Sequence, residues 1–327
     1  MKIGVLCSGG DAPGMNAALR AVVLTAAEGG AQVEGILFGF DGLIDNQTAP
    51  LLPEAVAGLA RHGGAFIGSA RSPRFLEKDS RQQAAEHCRQ KGLEALVVIG
   101  GDGSYRGAAV FEEETGIPCV GLPGTIDNDL EGTEYTIGFQ TAVQTALEAV
   151  DKVMDTAESH GRVFVVEVMG RDAGHIAANT AAAAGAHAVL IPEVPHQVPA
   201  LLEFFKRYQG AMRRRPIIII YSEGESEVGR EDLVRNLRTS FPQLDVRSLV
   251  LGHLQRGGPP VAADRILAAR LGREAVLALS RGFSGMGLGI RQGQLVHTPL
   301  AQCKKRQLPP EAYLLELSSL GLQEWKF

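Results

Sequence analysis

The sequence predicts an α/β protein with mostly parallel sheets covered by helices on both faces. Short apolar runs rich in Val and Ile alternate with helical patterns from end to end. Several of these runs are apolar at every position, as in Leu96-Val97-Val98-Ile99, which is how a strand buried on both faces reads. The chain has 40 glycines in 327 residues, well above the usual roughly 7%. They fall in clusters directly after apolar runs, where backbone must approach a ligand closely.

Strands are expected at 3–7, 33–37, 95–99, 119–122, 163–168, 188–191, 217–221 and 248–251. Helices are expected at 15–28, 80–91, 104–114, 141–158, 175–184, 197–212 and 262–280. The chain is long enough for two domains, but no linker, charge run or internal repeat marks a boundary. A net charge of −5 offers no field for nucleic acid or an acidic membrane surface. The longest apolar stretch, 216–221, is far short of a bilayer span, and residues 2–7 read as a strand rather than a signal peptide. Cys7, Cys88, Cys119 and Cys303 lack metal-ligand spacing, and Cys7 and Cys119 fall in expected strands as small hydrophobes. A cytosolic protein is the expectation.

In open α/β sheets ligands bind beyond the carboxyl ends of the strands, so the loops after each strand carry the chemistry. The first is Ser8-Gly9-Gly10-Asp11-Ala12-Pro13-Gly14. Its tandem glycines let amides converge on an anion at the positive end of the next helix, although a tight turn without ligand has the same look. The second is Gly100-Gly101-Asp102-Gly103-Ser104. A carboxylate among phosphate-binding amides makes sense if Mg²⁺ bridges Asp102 to phosphate oxygens, and Ser104 is placed to cap the following helix. Gly101-x-Gly103-x-x-x-Gly107 is one residue too long for a dinucleotide fingerprint, and there is no P-loop.

The third loop is Pro123-Gly124-Thr125-Ile126-Asp127-Asn128-Asp129. Two carboxylates at i and i+2 beside a hydroxyl suit phosphoryl transfer, one taking a proton from an attacking alcohol and the other helping to hold a metal. A calcium loop is the competitor, but its twelfth position is Gly138 where a bidentate Glu is needed. Further on, Met169-Gly170-Arg171-Asp172 and His253-Leu254-Gln255-Arg256-Gly257-Gly258 follow strands, and Arg162 and Arg247 stand at the starts of those strands. Arginine donates to phosphate in pairs and stays charged. Glu223 can accept from sugar hydroxyls, and a position near a helix N-terminus fits it equally well.

Together these segments, in this order, closely resemble the bacterial 6-phosphofructokinases. The resemblance runs from Ile3 to about Ala269, weakens to Val296 and is slight beyond. It implies two similar three-layer domains: an ATP-binding domain of residues 1–138 plus about 256–305, and a sugar-phosphate-binding domain of 139–255 plus about 306–327. It implies that Asp127 takes the proton from the C1 hydroxyl of fructose 6-phosphate, while Thr125, Arg171 and the Gly10 amide stabilise the phosphoryl group. By the same resemblance Gly10, Arg71, Ser72, Gly101, Asp102, Gly103 and Ser104 line the ATP site. Asp102 binds Mg²⁺, with Asp129 nearby and acting through water. Thr125, Asp127, Met169, Gly170, Arg171, Glu223, His253 and Arg256 hold the sugar phosphate. Arg162 and Arg247 reach its 6-phosphate from a neighbouring subunit, which implies a homotetramer with shared active sites.

Pyrophosphate-using relatives carry Asp where Gly103 stands and Lys where Gly124 stands, so the two glycines favour ATP. Departures cluster at the family's effector site for ADP and phosphoenolpyruvate. Arg20 is kept, Gly185 belongs to the same site and Arg213, Arg214 and Arg215 fall in the matching segment, but Leu24, Pro53 and Met154 replace basic residues and His187 replaces an acidic one. Weak or altered control is the expectation. The alternatives are a pyrophosphate-dependent phosphofructokinase, a nicotinamide-dinucleotide oxidoreductase built on Gly101-x-Gly103, and a non-catalytic sugar-phosphate sensor.

Overall fold

The computed structural model describes residues 1–194, 197–208, 216–225 and 228–306. The chain forms two compact units. Met1–Ile126, Leu130–Thr141 and Arg256–Arg306 make the first, and Asp127–Asp129 with Ala142–Gln255 belong to the second.

In the first unit, strand β1 (Lys2–Ser8) leads into helix α1 (Met15–Glu28), β2 (Gln32–Ile36), the short α2 (Gly39–Ile44), β3 (Thr48–Pro50), α3 (Pro53–Val56) and β4 (Ser69–Ala70). Then come α4 (Lys78–Lys91), β5 (Ala95–Gly100), α5 (Asp102–Thr115), β6 (Cys119–Thr125) and β7 (Ile137–Gly138). β5 is buried at every position, as its unbroken apolar sequence requires. Strands β6, β5, β1 and β2 lie side by side and parallel. One face of this sheet offers Leu6, Ile36, Leu96, Val98 and Cys119 to Phe40, Leu43, Cys88, Tyr105, Ala108 and Phe111 from α2, α4 and α5. Alternate residues such as Val5 and Val97 are equally buried and point to the other face.

Helix α6 (Phe139–His160) carries the chain into the second unit. There β8 (Val163–Val168), α7 (His175–Ala184), β9 (Ala188–Leu190), α8 (Gln197–Tyr208), β10 (Ile217–Ser222), α9 (Arg230–Ser240) and β11 (Val246–Val250) form a four-stranded, wholly parallel sheet ordered β11-β8-β10-β9. One face packs Val163, Val165, Ile217 and Ile219 against Leu201 and Phe205 of α8 and Leu233 and Leu237 of α9. The chain then returns to the first unit with α10 (Ala262–Ser280), β12 (Met286–Arg291) and β13 (Gln294–Pro299). β12 joins β6 in parallel and pairs β13 as an antiparallel hairpin. Helix α10 packs on α1, and together they cover the sheet's second face.

Helix α9, β12 and β13 were not expected from sequence, and the expected helix 197–212 is described only to Tyr208. Among the described residues no helix is long and apolar enough to cross a membrane.

Candidate active site

In the first unit three strand ends line up. Ser8 of β1 pairs with Gly100 of β5, and Gly100 pairs with Pro123 of β6. The loops that follow therefore leave one carboxyl edge side by side, bringing Gly10, Asp102 and Thr125 to the same rim. Gly14 caps α1 with φ 113°, a left-handed conformation that glycine adopts without strain. The loops are stitched together: the Ser104 hydroxyl reaches the Ser8 carbonyl at 3.2 Å and the Ser8 hydroxyl at 2.9 Å, and Ser69 donates to the Gly9 carbonyl at 2.9 Å.

Ser104 thus does not cap a helix. α5 starts earlier, at Asp102, with Gly101 as its cap, which places the Asp102 carboxylate at the helix's positive end. Asp102 is half-buried and pairs with Arg106 one turn on, at 3.2 Å. Gly10 faces Arg256, whose Nη1 lies 2.1 Å from where a Gly10 Cβ would sit. That guanidinium is 3.8 Å from Asp11, and its Nε has no hydrogen-bond partner among the described residues. Arg71 is exposed just after β4, which pairs β1 at Cys7 and Ser8. Ser72 donates to Asp41 and caps the turn at 73–76. That turn is fastened from behind by buried Arg81, which donates to the Phe75 and Leu76 carbonyls and bidentately to Glu114.

Gly103 and Gly124, the two glycines expected to favour ATP, differ in their surroundings. A Cβ at Gly103 would meet nothing nearer than Arg106 Nη2 at 4.0 Å, whereas one at Gly124 would lie 2.8 Å from Ile99 Cγ2 and 3.0 Å from Met15 Cε. Gly103 fronts open space. At Gly124 the core already fills the place a side chain would take.

In the second unit, Asp127 is half-buried and Asp129 is buried, joined by Asn128 in a left-handed conformation with φ 54°. β8 delivers Met169, buried with its N–H on Gln255 Oε1 at 3.3 Å, then Gly170 at φ 142° and Arg171 at φ 54°. Glu223 starts no helix, since α9 begins at Arg230. Its carboxylate instead accepts the Arg171 backbone N–H at 2.8 Å. His253 is exposed beyond the carboxyl end of β11.

Arg162 and Arg247 stand apart from these groups. Both bind Asp245, each through Nε at 2.8 Å, and the hydrogen bond from Arg162, then Arg247, holds the Asp245 carboxyl below its ordinary range. They lie at the amino edge of the second unit's sheet, a strand's length of about 20 Å from the carboxyl edge that carries Met169 to Arg171.

Of the suspected effector residues, Arg20 donates from Nε to the Ala57 carbonyl at 3.2 Å, Pro53 opens α3, and Leu24 and Met154 are half-buried on α1 and α6. Gly185 ends α7 in a left-handed conformation, and His187 Nδ1 accepts the Ile218 N–H at 3.3 Å. Arg213, Arg214 and Arg215 lie outside the described residues.

Among the described residues no three His, Cys, Asp or Glu side chains form a closed metal cage. A hard carboxylate such as that of Asp102 is the kind of ligand Mg²⁺ takes, since that ion keeps waters and shares substrate phosphates. Sequence reading missed Arg81, Asp264 and Glu193. Asp264 of α10 holds the start of α6 by accepting from Gly138 N–H at 2.9 Å, Thr141 N–H at 2.7 Å and the Thr141 hydroxyl, and a pairing across 123 residues leaves no local signal.

A mostly parallel α/β fold with glycine- and aspartate-bearing loops on its carboxyl edges defines the class of phosphate-ligand-binding α/β proteins. The Phosphofructokinase family model matches residues 2–279, and the chain belongs to that family. It is 47% identical over 98% of both chains to "ATP-dependent 6-phosphofructokinase 1" of Thermus thermophilus. It is 45% identical over 96% of both to "ATP-dependent 6-phosphofructokinase 2" of Bacteroides thetaiotaomicron. Among solved structures, a phosphofructokinase chain from Saccharomyces cerevisiae superposes with a TM-score of 0.83 at 36% identity, covering 99% of this chain and 47% of that one.

Proposed function

We propose that the chain transfers the γ-phosphoryl group of ATP to the C1 hydroxyl of D-fructose 6-phosphate, giving fructose 1,6-bisphosphate, a step of glycolysis. The observation that carries the reading is the alignment of the Ser8, Gly100 and Pro123 strand ends in a chain similar along its length to ATP-dependent 6-phosphofructokinases.

The first unit is proposed to bind ATP. The Gly10 amide and the amides around Gly101, Gly103 and Ser104 face the phosphates, with Arg71 and Ser72 at the edge. Asp102 would hold Mg²⁺, with Asp129 acting through water; the ion would neutralise charge on the β- and γ-phosphates. Asp127 takes the proton from the C1 hydroxyl, and Thr125 and Arg171 donate to the phosphoryl oxygens as charge develops there. Met169, Gly170, Glu223, His253 and Arg256 hold the sugar phosphate.

Arg162 and Arg247 are assigned to the 6-phosphate bound by a neighbouring copy. Their place at the opposite sheet edge from Arg171 supports this, because within one chain a strand's length separates the two groups. A homotetramer with shared sites follows. The effector site is proposed to respond weakly: cations are missing at Leu24, Pro53 and Met154, and Arg20 and His187 are engaged with backbone.

Initial rates with ATP, GTP and pyrophosphate against a panel of sugar phosphates test the reading. ATP with fructose 6-phosphate should be the preferred pair. Preference for pyrophosphate, or a change in nicotinamide fluorescence on titration in place of kinase activity, would replace it.

A further inference from the structure

Arg171 follows β8 in a left-handed backbone conformation with its side chain exposed. A non-glycine residue keeps such a conformation only when its surroundings enforce it, and here the turn that contains it is held at both ends. The 222–225 turn lies against one end. A Cβ at Gly224 would fall 1.7 Å from the Arg171 carbonyl oxygen, and Glu223 takes the Arg171 N–H. The 191–193 segment lies against the far end of the turn, at Gly174. A Cβ at Gly174 would fall 2.5 Å from Ile191 Cβ and 2.7 Å from Glu193 Oε2, and Glu193 Oε1 takes the Gly174 N–H at 2.8 Å. Between the two clamps the turn is closed by Ala173 N–H on the Gly170 carbonyl at 3.0 Å.

We propose that Glu193 is a positioning residue for Arg171, fixing the far end of the turn whose near end Glu223 fixes. The inference rests on the reading of Arg171 as a donor to the phosphoryl group.

Gly174 is the cap of α7, so the Glu193 charge also meets the positive end of a ten-residue helix. A capping role alone would stabilise α7 without concern for Arg171. Two features point further. Glu193 Oε2 is buried with no hydrogen-bond partner among the described residues, and burial, with Glu225 adding to it, raises the carboxyl's pKa. A carboxylate is an expensive way to cap a helix in such a place. What it secures in addition is backbone three residues from Arg171, where a small displacement of the guanidinium costs rate steeply.

A double-mutant cycle separates the two roles. Glu193→Ala, Arg171→Ala and the double variant are compared with the wild type for kcat and for the KM of ATP and of fructose 6-phosphate. Glu193→Ala should lower kcat about tenfold with the KM for ATP nearly unchanged. Glu193→Gln, which keeps an acceptor for Gly174 N–H, should restore most of the rate. In the Arg171→Ala background the Glu193 effect should vanish. Full activity in Glu193→Ala would overturn the inference, as would an undiminished loss on top of Arg171→Ala. If Glu193→Ala does not fold, Glu193→Asp, shorter by one methylene, decides by the same cycle. A wild type inactive on fructose 6-phosphate with ATP would instead sink the kinase reading and this inference with it.

Discussion

The Arg171 backbone N–H is held by the Glu223 carboxylate at 2.8 Å. A residue taken from sequence as a sugar-hydroxyl acceptor is therefore also committed to the backbone of the residue proposed to stabilise the phosphoryl group. Glu223→Ala should damage both tasks, raising the KM for fructose 6-phosphate and lowering kcat, each by about tenfold or more for a hydrogen bond to a charged group. Glu223→Gln should spare kcat more than KM. A change in KM alone for Glu223→Ala would show that the backbone bond is dispensable.

The contrast between Gly103 and Gly124 gives a second expectation. Gly103→Asp enters open space, so its melting temperature should match the wild type while the KM for ATP rises at least about tenfold, as a carboxylate meets the triphosphate's charge. Gly124→Ala pushes on Ile99 and Met15 and should destabilise the fold by about 1–3 kcal/mol, read as a lower urea midpoint. Unchanged ATP use in Gly103→Asp would remove the steric and electrostatic case for the donor.

Asp264 ties α10 to the start of α6. Its removal leaves the Gly138 and Thr141 N–H groups unpaired in the core, so Asp264→Ala should cost about 3 kcal/mol. Burial raises its pKa, and the hydrogen bonds from Thr141, Gly138 and Gln140 only partly oppose this. The folded chain then holds this proton more tightly than the unfolded one. The group's contribution is full below its unfolded pKa of about 4 and declines as pH rises through the raised folded value. Urea midpoints of the wild type and Asp264→Asn, followed from pH 4 to 7, should show the wild type losing ground to the variant with rising pH. The opposite slope would contradict the assignment.

The proposed effector site gives a further expectation. ADP and phosphoenolpyruvate should each change the steady-state rate by less than the roughly fivefold at which allosteric coupling ordinarily begins. Strong ADP activation with strong phosphoenolpyruvate inhibition would restore full regulation to this chain.

Much of this was legible in the sequence because the strands that position the site are buried on both faces. A run such as Leu96 to Ile99 has one reading, and the glycines after it mark where backbone stands open. The β12–β13 hairpin was not legible, because Gly287 breaks the β pattern. Its reason lies elsewhere in the chain: a Cβ there would lie 2.7 Å from both Cys303 Sγ and Tyr105 Cε2. α9 does carry a sequence signal, Glu231 and Asp232 in its first turn ahead of Leu233, Val234 and Leu237, the residues it buries. Ser104 has the residue type of a cap, but the helix starts two residues earlier, at Asp102. Glu193 with Gly174, Asp264 with Thr141 and Arg81 with Glu114 join residues distant in sequence, which no local pattern reveals.

The central claim is that Asp127 serves as the base for ATP-dependent phosphorylation of fructose 6-phosphate. Its most direct test is the initial rate of fructose 1,6-bisphosphate formation by the wild type and Asp127→Asn, with ATP and Mg²⁺ saturating. The account predicts a clear wild-type rate that falls by about 10²–10⁴ in the variant. A variant that keeps its rate, or a wild type that forms the product only from pyrophosphate, would contradict it.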